Sequence, residues 1–242
     1  MTMGLKRSDY DDYATEYAAL VARRERAGAG CDDLGIVPHL LELLGDVSNQ
    51  VVLDAGCGEG YLARILTARG ARVTGIDLSP RLIALARARD PGRRIAYETA
   101  DLSAPLPEFR AHFDAVASYM VLNDVEDYRG FAATLAQALK TGGRAVLAFN
   151  NPYAYVVRKR IASSYFASGM TCPCGLSAAG IEVSFYHRTL GEYLDAFLAA
   201  GLHLTKLLDV DHPEIATVRA TEGSLPEGEK LPRFMILALA KP

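Results

Sequence analysis

The chain has no surplus of basic residues: 26 lysines and arginines stand against 29 aspartates and glutamates, a formal net charge of −3. That removes the electrostatic ground for a nucleic-acid partner, because domains that grip the phosphate backbone carry a marked basic excess. Long apolar runs are missing too. No stretch reaches the roughly 18 uninterrupted apolar residues needed to cross a bilayer, and the opening MTMGLKRSDYDDY has no apolar segment of a secretory leader. The expectation is a cytoplasmic protein without a membrane partner. Cysteine is scarce, with Cys31, Cys57, Cys172 and Cys174 making up all 4. Cys172 and Cys174 form a C-x-C with no second pair at zinc-ligand spacing, so no metal site is expected, and Cys57 reads as a small packing residue. Against these absences stand 242 residues, 50% of them hydrophobic. That is enough for one large α/β domain with a substantial core.

The organising stretch begins at Val51. Val51, Val52 and Leu53 form an apolar run without polar alternation, the mark of a strand covered on both faces, and Asp54 ends it. A glycine-rich turn, Ala55-Gly56-Cys57-Gly58-Glu59-Gly60, leads into Tyr61, Leu62, Ile65 and Leu66, spaced as on an amphipathic helix that Gly70 stops. A second apolar strand over residues 72–76 ends on Asp77. Strand, glycine turn, helix, strand and acid make a nucleotide-binding βαβ unit. The dinucleotide fingerprint G-x-G-x-x-G is absent, because Tyr61 occupies its third glycine position, and this disfavours a nicotinamide cofactor.

The pattern present, Asp54-x-Gly56-x-Gly58-x-Gly60, resembles motif I of the class I S-adenosylmethionine-dependent methyltransferases. The resemblance implies that the glycine turn faces the methionine part of S-adenosylmethionine, while Asp77, followed by Leu78, accepts hydrogen bonds from its ribose hydroxyls. Asp101-Leu102, after a third strand over residues 94–99, resembles the family's adenine site. Residues 113–125 resemble motif IV, F-D-x-V-x-S-x-x-V-L-x-x-V, which puts Tyr119 at the cofactor and Met120 at the acceptor, near the methyl group. Asp124 is a candidate base at a place usually held by a structural or histidine residue. Lys140-Thr141-Gly142-Gly143 resembles the turn before the fifth strand, expected over residues 144–150, with Thr141 replacing a proline.

The flanks resemble the family more loosely. Near the N-terminus, with Ser8 as candidate cap, a Y/F-D-x-x-A-x-x-Y segment implies a helix closing over the cofactor. Tyr17 is its second aromatic and Tyr13 lies one turn earlier, so Tyr17 is expected at both cofactor and chemistry. A second helical pattern, Ile36 to Leu44, leads into the first strand. Between residues 151 and 188 the core is interrupted by a stretch long enough for a lid. Tyr153, Val157, Ile161 and Tyr165 recur every fourth residue, as on a helix with an aromatic face, and Arg158-Lys159-Arg160 between them is either a solvated face or an anion clamp. Gly169, Pro173, Gly175 and Gly180 read as turns, and residues 181–186, with Tyr186 as a candidate acceptor contact beside Tyr153, read as an extra strand. His187-Arg188-Thr189-Leu190 resembles an H-R-[ST]-L element of small-molecule methyltransferases, and His187 is the expected general base. Residues 202–210 and 234–240, joined by a polar loop over 212–232, supply an antiparallel last strand.

The expected fold is a Rossmann-like seven-stranded sheet, mostly parallel with an antiparallel last strand, helices on both faces and an inserted lid. It forms one domain: an N-terminal helical cap (1–50), a cofactor-binding core (51–150), the lid (151–188) and a C-terminal helix with a strand hairpin (189–242). The implied activity is methyl transfer from S-adenosylmethionine to an O, N or C atom of a small, partly aromatic metabolite. A tRNA or protein methyltransferase, and a non-catalytic S-adenosylmethionine-binding protein, are the alternatives.

Overall fold

In the central strands, neighbouring residues belong to different cores. Val52, Ala115, Val146 and Ile236 pack on one side of the sheet, and Leu53, Val116, Leu147 and Leu237 on the other. That is the two-residue period of a strand applied where both faces are covered. The computed structural model describes residues 8–26, 35–159, 164–169, 171–176, 181–210 and 232–242. Cys31, Arg160, Ile161, Gly180 and the loop residues 212–231 lie outside them, as do the side chains of Val157, Arg158, Lys159, Cys172 and Cys174.

In chain order the elements are α1 (Ala14–Arg26), α2 (Val37–Leu44), β1 (Val51–Ala55), α3 (Tyr61–Ala68), β2 (Arg72–Asp77), α4 (Pro80–Ala88), β3 (Ala96–Thr99), β4 (Phe113–Tyr119), α5 (Tyr128–Ala138) and β5 (Leu139–Asn150). Then follow α6 (Pro152–Lys159), β6 (Thr171–Leu176), β7 (Ile181–Tyr186), α7 (Leu190–Ala199), β8 (His203–Val210) and β9 (Phe234–Ala240). The large sheet has 7 strands in the order β3-β2-β1-β4-β5-β9-β8. β1 to β5 pair in parallel, and β9 runs antiparallel to both β5 and β8. Helices α2 and α3 bring Leu40, Leu44, Leu62 and Leu66 to one face, while α5 and α7 bring Phe131, Leu135, Tyr193 and Phe197 to the other.

Four boundaries differ from the sequence reading. Ser8 caps a short 3-10 turn, Asp9–Asp11, by accepting from the Tyr10 N–H, and the helix starts only at Ala14. Residues 36–44 are core rather than cap, with Ile36, Leu40 and Leu44 fully buried under the sheet. β5 begins at Leu139: Phe113 pairs with Leu139 and Ala115 with Arg144, so the Lys140–Gly143 turn is carried as an irregularity within the strand. Thr171–Leu176 is a strand paired with β7, although it contains Pro173 and Gly175. A two-stranded ribbon tolerates proline because each strand is an edge, where an N–H can be missing without breaking a ladder.

Candidate active site

The strand order reverses between β1 and β4, so a crevice opens beyond their carboxyl ends. The turn after β1 is folded over β2, with the amides of Gly56 and Cys57 both donating to the Ile76 carbonyl at 2.8 and 3.0 Å. Gly56 has φ +79°, and a Cβ there would stand 2.3 Å from a Val121 methyl. The position requires glycine for conformation and for space.

Asp77 ends β2 on the crevice floor. Its Oδ2 accepts from the Gly58 N–H at 2.8 Å and its Oδ1 from the Ser79 N–H at 2.9 Å. Burial raises its pKa, and those two bonds pull the other way. Ser79 caps α4 by accepting from the Leu82 N–H and also donates to the Asp11 carboxylate. Asp54, at the end of β1, is buried, and its Oδ2 has no hydrogen bond among the described residues. Burial pushes its pKa up to about 8, with Asp77 and Glu59 adding to the rise and the Ala63 N–H opposing it.

The main cleft holds about 370 Å³. Of the expected cofactor residues, Tyr17, Gly56, Gly58, Asp77, Leu78, Asp101, Leu102 and Tyr119 all line it, as do Met120 and Tyr186 from the acceptor set. Asp54 instead lines a smaller pocket of about 50 Å³ under Tyr17 and Tyr119. Met120 has φ +60°, an uncommon conformation for a residue with a side chain, at the point where β4 opens into the cleft.

Besides Asp54, three expected residues do not line the cleft. His187 is buried, and its Nε2 lies 2.8 Å from the carbonyl oxygen of Tyr165, so that nitrogen carries a proton and donates it. Its own carbonyl accepts from the Gly169 N–H, so His187 secures the turn over residues 164–169. The neighbouring Tyr186 takes the cleft side, as alternation along an extended chain requires. Tyr153 is 43% exposed and stacks on Tyr165 at 4.2 Å. Tyr13 is half-buried beside the cleft-lining Tyr10 and Tyr17.

The sequence reading missed Tyr10, which packs edge-on against Tyr17 at 5.2 Å and donates its hydroxyl to Asp124 Oδ2 at 3.4 Å. The signal was available, since Tyr10 is the first aromatic of the pattern whose second is Tyr17. It also missed Glu59, buried in the glycine turn and ion-paired to Arg64 at 3.2 Å and to Arg89. Arg89 in turn donates to the Ala18 carbonyl at 3.0 Å, tying α1 to the turn. Asp11 accepts from the Arg81 N–H, and the Arg81 guanidinium donates to the Asp11 carbonyl at 2.9 Å, which holds the N-terminal segment over α4. Among the described residues, no group of three or more His, Cys, Asp or Glu could hold a metal ion, and no helix is long and apolar enough to cross a membrane.

Known proteins share this arrangement. The methyltransferase-domain family matches residues 53–147. The demethylmenaquinone methyltransferase of Tropheryma whipplei (strain Twist) is 36% identical over 117 residues, 48% of each protein. The ubiquinone biosynthesis O-methyltransferase of Nitrosomonas europaea is 33% identical over 107 residues, 43% of this chain and 46% of that one. The match thus spans about half the length of these curated relatives. A solved S-adenosylmethionine-dependent methyltransferase from Mesorhizobium loti superposes with a TM-score of 0.69 at 29% identity, over 84% of this chain and 96% of that one. With the glycine turn, the acid ending β2 and a seven-stranded sheet whose β9 alone is reversed, these likenesses make the chain similar, in its fold and over the core residues 53–147, to the class I S-adenosylmethionine-dependent methyltransferases.

Proposed function

We propose that the protein binds S-adenosylmethionine in this cleft and methylates a small-molecule acceptor. The observation that carries the reading is Asp77, a half-buried carboxylate with each oxygen held by one backbone N–H and with acceptor capacity left for the two ribose hydroxyls. Asp101 is similar: its Oδ1 accepts from the Ser103 N–H at 2.8 Å, leaving the other oxygen for the adenine amine, with Leu102 beside the ring. Gly56 and Gly58 let the backbone approach the methionine part closely. The unpartnered Oδ2 of Asp54 suits its ammonium, since a buried carboxylate oxygen without a donor is costly until one arrives.

When bound, the cofactor supplies a methyl group on a sulfonium, so the difficult chemistry is its own. The chain's part is to align an acceptor and exclude water. Tyr119 and Met120 flank the end of β4. Ser8, Asp9 and Tyr10 cover the cleft from the N-terminal turn, while Val183 and Tyr186 of β7 cover it from the hairpin. The relatives' names, both of which name a quinone, together with the tyrosine-rich walls, favour a partly aromatic metabolite. The net charge of −3 speaks against RNA as the acceptor.

Calorimetric titration with S-adenosylhomocysteine tests the reading, with NAD as control and Asp77→Ala as variant. Tight binding of the first ligand alone, lost in the variant, is the expected result. Binding of NAD, or of neither, would remove it.

A further inference from the structure

Helix α1 carries Tyr17 over the cleft, yet its own packing is thin. Its buried residues are Ala14, Ala18 and Val21, and none of them belongs to either of the two cores beside the sheet, which α2 enters with Leu40 and Leu44. Side chains that small bury little apolar area, so burial alone holds the helix weakly. A polar link makes up the difference.

That link is Arg89. It stands at the C-cap of α4, whose other end is capped by Ser79, two residues after Asp77. One guanidinium nitrogen pairs with Glu59 of the glycine turn, and the other donates to the Ala18 carbonyl of α1 at 3.0 Å. The buried Glu59 also pairs with Arg64 at 3.2 Å, so its charge stays compensated if Arg89 is lost. The circuit closes through Tyr17: it precedes Ala18, and its ring lies 3.8 Å from where a Cβ on Gly58, the neighbour of Glu59, would stand. Tyr17 lines both the main cleft and the small pocket of Asp54, which Val21 of the same helix also lines. The seat of α1 therefore sets the roof over the glycine turn.

We infer that Arg89 is a positioning residue for the cofactor: by holding Glu59 and Ala18 at once, it keeps α1, and with it Tyr17, closed on the glycine turn and so retains the bound cofactor. Arg89 itself lines neither pocket. The inference rests on the methyl-transfer reading above and adds the residue that governs cofactor retention. The link needs two donors on separate nitrogens, which a guanidinium presents as a rigid fork, whereas a lysine ammonium is one nitrogen on a flexible stem. The Asp11 contacts to Ser79 and Arg81 fasten the chain farther toward the N-terminus, so loss of Arg89 loosens α1 without releasing the whole segment.

Arg89→Ala and Arg89→Lys are compared with the wild-type chain by calorimetric titration with S-adenosylhomocysteine and by amide hydrogen exchange read by mass spectrometry. In the wild-type chain the ligand is expected to slow exchange in residues 14–26. Arg89→Ala should bind about tenfold more weakly, the order expected for one charge-assisted hydrogen bond. Its ligand-free exchange should rise in residues 14–26 and stay unchanged in β1 and β4. Arg89→Lys, which keeps the charge, should recover at most part of the affinity. A merely structural role would speed exchange through β1 and β4 as well. That result, an affinity loss under about threefold, full recovery in Arg89→Lys, or no protection of residues 14–26 by the ligand overturns the inference while the methyl-transfer reading stands. Failure of the wild-type chain to bind S-adenosylhomocysteine falls on that reading.

Discussion

On the sheet side of the cleft, Asp77 is held by backbone donors at 2.8 and 2.9 Å, and the turn above it by two more bonds to one carbonyl. On the covering side, a single 3.4 Å bond from Tyr10 reaches Asp124, and the cover comes from a short 3-10 turn and one strand of a two-stranded ribbon. The first wall is rigid because its partners are main-chain groups fixed by the parallel sheet. The second is assembled from distant segments, joined by side chains and by the Tyr186 N–H donating to the Asn123 carbonyl at 2.8 Å, and each segment loses conformational freedom to take part. In this reading the cofactor rests on the first wall, and the second closes over it.

The largest effect is expected where the rigid wall is broken. Asp77→Ala removes the shared acceptor of Gly58 and Ser79 together with the ribose contact. S-adenosylhomocysteine affinity should fall by about 100-fold or more in calorimetry, since hydrogen bonds to a charged group are worth about 1.5–3 kcal/mol each. A loss under about threefold would mean that the carboxylate is structural only.

Gly56→Ala should come next. The added Cβ meets the Val121 side chain at 2.3 Å with φ at +79°. The cost should be about 1–3 kcal/mol in urea unfolding, accompanied by weaker S-adenosylhomocysteine binding. An unchanged midpoint would show that the turn yields more readily than its geometry implies.

A third test uses pH. Asp54 is raised from 3.8 to about 8 in the folded chain, so between those values the unfolded chain releases a proton that the native chain keeps. Stability contributed by this group is present below the unfolded value and is lost as pH rises toward the folded one. Asp77 and Asp124 act in the same direction, so Asp54→Asn should flatten only part of the slope of urea midpoint against pH. Binding of an ammonium at Asp54 should also release a proton near neutral pH, seen as a buffer-dependent calorimetric heat.

The smallest effect on binding is expected at His187. His187→Ala should leave S-adenosylhomocysteine affinity within about twofold, yet cost about 1–3 kcal/mol of stability, because the Tyr165 carbonyl loses its buried donor. A large loss of affinity with intact stability would return His187 to the cleft and erase the contrast between the two walls.

The stretch from Val51 to Asp77 was readable because its signals are local. Strand, turn, helix and acid follow one another, and the glycines stand where the backbone turns. His187 was misread for the opposite reason. Its place after a strand and before a helix says nothing about which side of the chain faces the crevice, and one step of alternation gave that side to Tyr186. Tyr153 and Tyr165 have helical spacing in the sequence, yet their rings lie parallel and stacked at 4.2 Å, a contact that spacing alone does not foretell. The Glu59, Arg89 and Ala18 link left no trace, because an ion pair between distant elements has no spacing to recognise.

What the sequence determined by itself is the α/β sheet, its reversed last strand, the glycine turn and the acid ending β2. Periodicity and turn chemistry are properties of neighbouring residues, and they act before the chain is compact. Tertiary structure alone decided which tyrosines cover the cleft and, among the described residues, that Asp124 keeps one oxygen without a donor and that no lysine, arginine or histidine enters the lining. Those outcomes depend on which segments meet when two hydrophobic faces close on one sheet, and packing of the whole chain settles that.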